Sequence, residues 1–99
     1  MAALVHKTSQ AEADIANAIH FLLEKNPVAA ELFVSDLERL TMRLRQFPEL
    51  YPIQRRSAKP EWQHVRMAVM RQFAHIVFYT YENNVVIIRR VVHAACGEQ

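Results

Sequence analysis

Four side chains in the C-terminal half have the types and spacing for chemistry: Arg66, Arg89, Arg90 and His93. A guanidinium grips a phosphate or carboxylate through paired N–H donors. An imidazole moves a proton near neutral pH without needing a perturbed pKa. Arg66 and Arg89 are expected on strands of one meander, with His93 closing the last strand. Strand residues alternate faces, so Arg89 and His93 are expected beside Val85, Ile87 and Val91, with Arg90 on the opposite face. A sheet face carrying Arg, His and Tyr would bind phosphate or an acidic segment. The competing reading is that arginine stems cover apolar sheet while their heads stay in water. A second basic group, Arg55, Arg56 and Lys59, lies with Trp62 in the segment 48–63, between Pro48, Pro52 and Pro60. Trp62 there would plug the loop onto the core or offer an aromatic ring to a partner.

Other chemistries find little footing. The five histidines form no H-E-x-x-H pattern. Cys96 follows His93 by three residues, but it is the one cysteine, and a zinc site needs about four ligands. The pair also sits at a strand end, where an oriented thiolate is hard to maintain. Ser9, Ser35 and Ser57 lack a nucleophile-elbow context. A single glycine excludes a Gly-rich phosphate loop. No metal and no cofactor is expected.

The elements that must position these residues follow from a chain of 99 residues, 52% hydrophobic and 22% charged. That length and balance suit one small folded domain, 1–99, and exclude a separate cofactor domain. The net charge of +2 conceals a split. Residues 1–38 carry two basic and six acidic residues, and residues 39–99 carry ten and four. The balances of −4 and +6 suggest a face for a polyanion or acidic partner, against the reading of solvated surface. The start lacks a basic region followed by an apolar run, and no stretch approaches a membrane span. A cytoplasmic protein is expected.

Residues 1–8 read as a strand. Ser9 and Glu12 have capping-box spacing, and Ala11, Ile15, Ala18, Ile19 and Leu22 recur at helical period to give a helix from about Gln10 to Lys25. Asn26-Pro27 ends it and starts another. Phe33, Leu37, Leu40, Leu44 and Phe47 form an amphipathic stripe that Pro48 stops. The two helices over 9–47 must form an antiparallel hairpin. After the basic connection 48–63 the period becomes strand-like over 64–93, with Glu82-Asn83-Asn84 as a hairpin turn. Val85 to Val92 is apolar on both faces apart from Arg89 and Arg90, as suits a covered central strand. Residues 94–99 are a tail. The expected fold is α+β in the order β-α-α-β-β-β, with the helical hairpin on one face of a small, mainly antiparallel sheet.

This order of motifs resembles the RelE/ParE superfamily of type II toxin–antitoxin toxins, most closely its ParE branch. The resemblance rests on A-x-x-D-I (Ala11 to Ile15), N-P-x-A-A (Asn26 to Ala30), L-x-x-F-P (Leu44 to Pro48), the strand arginine Arg66, H-I-V-F-Y (His75 to Tyr79), and Arg90-Val91 with His93. It implies a toxin, often associated with plasmid stabilisation, in a heteromeric complex with a cognate antitoxin. The antitoxin's acidic C-terminal segment would fold onto the basic half. ParE-like toxins are described as poisoning DNA gyrase, and RelE-like toxins as ribosome-dependent mRNA endoribonucleases.

Departures from the pattern separate these activities. RelE-type nucleases resemble one another in a mid-strand arginine where this chain has Ile76, and in basic or Tyr/His residues after the last strand, where it has Ala94-Ala95-Cys96-Gly97. RNA cleavage needs positive groups at the phosphate and a group to move protons. The favoured expectation is therefore gyrase inhibition by binding, without catalysis. The alternatives are a nuclease using Arg66, Arg89 and His93, and a decayed toxin that retains only antitoxin binding. The tail keeps only His93 of the H-G-R-R ending common in ParE-like proteins. Candidate binding residues for target or antitoxin are Arg55, Arg56, Lys59, Trp62, Arg66, Arg89, Arg90 and His93.

Overall fold

The chain begins with a strand, β1 (Leu4–Lys7), and passes into a helix, α1 (Ser9–Lys25), at Thr8. The structure is a computed structural model describing residues 2–53 and 64–94. Thr8, just past β1, still bonds to β4: its N–H donates to Ile88 O at 3.0 Å. Its extended backbone (φ −72°, ψ 162°) lets its hydroxyl accept from Ala11 N at 3.0 Å. The same hydroxyl donates to Arg89 O at 2.9 Å. Thr8 is therefore the N-cap, and the Ser9–Glu12 capping box expected from spacing does not supply it. Ser9 is already helical, because strand pairing ends one residue earlier.

Asn26 closes α1 and opens the second helix, α2 (Pro27–Gln46). Its N–H reaches Leu22 O at 2.6 Å, and its side-chain oxygen accepts from Val28 N at 3.0 Å. Pro27 sits where a missing N–H costs nothing. Phe33, Leu37, Leu40 and Leu44 are buried, each contributing roughly 1.5–3 kcal/mol of burial. Phe47 departs from the expected stripe and is 58% exposed. It is the C-cap, at φ −134° and ψ 68°, so it leaves the helical phase before it can face the core.

Three strands follow: β2 (Arg66–Val69), β3 (His75–Glu82) and β4 (Val85–His93). The sheet order is β1-β4-β3-β2. β4 is central, parallel to β1 and antiparallel to β3, so the sheet is mixed. Asn83 and Asn84 both have positive φ, 56° and 61°, as a tight twisted hairpin requires. The core lies between the helices and the sheet face carrying Ala68, Val77, Tyr79, Val86, Ile88 and Val91. Tyr79 is fully buried and donates to Pro48 O at 2.7 Å, tying the exit of α2 to the sheet. Burial pushes its phenol up to about 12, against a smaller opposing pull from Arg66. Among the described residues, no helix is long and apolar enough to cross a membrane.

Candidate functional site

The expected alternation of faces fails on β4 at one point. Tyr79 pairs with Ile88 but Phe78 pairs with Arg90, so Arg89 is an extra residue and the strand bulges. The bulge resets the phase. Val91 joins Val86 and Ile88 in the core, and His93 pairs with His75 on that same face. His93 and Val91 therefore do not share the face of Val85 and Ile87, as the simple alternation predicts. Arg90 lies opposite Phe78, on the sheet face turned away from the core.

The bulge exposes a backbone donor that α1 captures. Asp14 Oδ2 accepts from Val91 N at 2.9 Å. Asp14 also takes Arg90 in a two-point grip, Nε to Oδ2 at 2.7 Å and Nη2 to Oδ1 at 3.2 Å. The Asp14 side chain is 17% exposed and that of Arg90 37%. The hydrogen bond to Asp14 raises the Arg90 guanidinium further above its ordinary value, with burial opposing. Arg90 is thus occupied in fastening helix to sheet. Sequence spacing places Asp14 among the outward residues of α1. Its signals in the sequence are its place in the A-x-x-D-I motif and its position beside the apolar stripe, one turn before Ala18.

Arg66 is also engaged. Its Nη1 donates to Tyr51 O at 2.7 Å and Glu49 O at 3.3 Å, and Nη2 lies 3.8 Å from Glu49 Oε2. Its register partner Tyr79 puts it on the core face, where it clamps the chain leaving α2. Arg89 is exposed and reaches Thr80 Oγ1 at 3.3 Å through Nε. It lies over a groove of about 500 Å³ shared with Thr8, Ser9, Gln10, Val65, Thr80 and Arg90. The start of α1 adds partial positive charge there. This groove can hold an anionic group. Among the described residues that line it, none is a histidine or carboxylate.

His93 stacks edge-on against His75, ring centroids 5.0 Å apart, and His75 stands edge-on to Phe33 at 5.1 Å. The His75 Nδ1 is buried without a hydrogen-bond partner among the described residues. Burial lowers the His75 pKa, and the charge of His93 lowers it further. The four residues read as one site are therefore not brought together. Arg66 and His93 belong to the core face, and Arg89 and Arg90 to the bulge on the other side. Arg55, Arg56, Lys59, Trp62 and Cys96 lie outside the described residues. No group of three or more His, Cys, Asp or Glu side chains placed to hold a metal ion occurs among the described residues.

A helical hairpin on one face of a β1-β4-β3-β2 sheet, with a bulged arginine strand at its centre, defines a small α+β domain. The fold recurs in a chromosomal ParDE toxin–antitoxin system from P. aeruginosa, at a TM-score of 0.74 and 17% identity over 92% of this chain and 95% of that one. It recurs also in a YafQ mutant from E. coli, at a TM-score of 0.57 and 15% identity over 96% and 97%. No curated protein matches significantly. The family described as the ParE toxin of type II toxin–antitoxin system, parDE, matches residues 5–95. The chain belongs to that ParE toxin family.

Proposed function

We propose that this protein is the toxin of a cytoplasmic toxin–antitoxin pair, that it acts by binding and inhibiting DNA gyrase, and that a cognate antitoxin neutralises it. The observation that carries the non-hydrolytic reading is the separation of the groups a nuclease would need. Arg66 and Arg89 sit on opposite faces of the sheet, and His93 is on the face away from Arg89. In-line RNA cleavage needs charge stabilisation and proton transfer at one phosphate. Arg89, the least engaged of the strand arginines, is suited to recognition of an anionic surface. Membership of the ParE toxin family supports the reading of gyrase as target and of plasmid stabilisation as a role.

The mRNA endoribonuclease reading has one observation in its favour. His75 and His93 stack together, and the lowered His75 pKa keeps that ring neutral as a base would be. Overexpression separates the readings. Growth arrest relieved by co-expressed antitoxin, with cellular mRNA intact, is the expected result. Ribosome-dependent mRNA cleavage that is lost in His93→Ala would replace it with the nuclease reading. Harmless overexpression with intact complex formation would mark a decayed toxin.

A further inference from the structure

A second cavity, apart from the groove at Arg89, gathers three arginines. It encloses about 380 Å³ between α2 and the loop joining β2 to β3. Arg39 and Arg43 enter it from successive turns of α2, and Arg71 enters from the loop. Like charges four residues apart on a helix repel. Among the described residues, neither Arg39 nor Arg71 has an ion-pair partner to offset this.

The positions of these cations are fixed from beneath. Asp36 is 5% exposed and accepts from Gln72 N at 3.2 Å, which pins the loop to α2. Met70 N donates to His75 O at 3.0 Å and closes the base of the same loop. Arg43 Nη1 donates to the Tyr51 hydroxyl at 3.2 Å. That hydroxyl acts as acceptor here, so its own proton is available to a ligand. Leu40, Val69 and Met70 supply apolar wall.

We infer that this cavity binds a phosphate monoester of mononucleotide size. Three guanidiniums against one aspartate leave a balance of +2, which suits a phosphate dianion better than a single carboxylate. The volume is larger than a bare phosphate needs and falls within the range of small-ligand pockets. The apolar wall and the Tyr51 ring give the remainder of such a ligand a surface to lie on. The monoester can come from a free nucleotide or from the 5′ end of a nucleic-acid strand.

The test is calorimetric titration of the full chain at low salt with adenosine monophosphate, adenosine, and an oligonucleotide with and without a 5′ phosphate. The expected result is saturable binding of adenosine monophosphate and none of adenosine. Arg71→Gln should weaken binding at least about tenfold, the loss expected for one charge-assisted hydrogen bond. Lys7→Gln, which removes the same charge far from the cavity, should leave it within about twofold. Asp36→Asn, which removes the opposing charge but keeps an acceptor for Gln72 N, should tighten it. Preference for the 5′-phosphorylated oligonucleotide over the mononucleotide would name the strand end as the source; the reverse would name the free nucleotide. Absence of binding at millimolar nucleotide, equal binding of adenosine, or equal weakening by Arg71→Gln and Lys7→Gln would overturn the inference.

Discussion

Asp14 links the first helix to the central strand through three hydrogen bonds, one to a backbone N–H freed by the bulge and two to Arg90. Asp14→Ala leaves both partners without their acceptor and should cost about 1–3 kcal/mol in urea denaturation. Asp14→Asn keeps an acceptor for Val91 N and should cost less; equal losses would show that the charge, not the backbone cap, dominates. His75 gives a second prediction. Its pKa is lowered in the fold by burial, so the unfolded chain takes up a proton first as pH falls. Stability should be full above about pH 6.5 and decline below it. His75→Phe should flatten that decline in denaturation curves taken from pH 7.5 to 5; an unchanged slope would remove His75 as its cause. The sequence announces strand arginines but not their roles. Alternation places Arg89 and Arg90 on opposite faces, and one inserted residue against Phe78/Tyr79 is enough to void that arithmetic.

At the scale of elements, local chemistry is legible where one residue type answers one backbone need. Asn26-Pro27 breaks and restarts the helix, and Asn83-Asn84 takes up positive φ. The helical stripe of α2 is legible up to Leu44 and fails at Phe47, where the helix has ended. The cap of α1 is misread by one residue because the extent of β1 depends on pairing with a strand some eighty residues away. That correction is testable. Thr8→Ala removes the cap on Ala11 and the bond to Arg89, and should cost about 1–2 kcal/mol. Ser9→Ala should change stability by no more than about 0.5 kcal/mol. The reverse ranking in thermal unfolding would restore the Ser9 capping box. The parallel pairing of β1 with β4 has no local signature, since it depends on how the helical hairpin returns the chain.

For the whole molecule, the charge split gains a location. The acidic part includes α1, and one of its carboxylates is spent internally on Arg90. Among the basic part, Arg66 and Arg90 are engaged, while Arg39, Arg71 and Arg89 are exposed. An antitoxin segment that is acidic should therefore associate faster at low salt. Stopped-flow mixing from about 0.05 to 0.5 M salt should slow the on-rate about tenfold or more. A salt-insensitive rate would mean that the interface is chiefly apolar. Fold class and family are legible along the chain because they rest on the order of many weak signals. The arrangement of the candidate site is not, because one bulge decides which faces Arg89, Arg90 and His93 take. The most direct measurement is DNA supercoiling by gyrase in the presence of the purified toxin. Dose-dependent loss of supercoiling, reversed by antitoxin and with added RNA left intact, is the predicted result. Undiminished supercoiling together with cleavage of mRNA on translating ribosomes would contradict it.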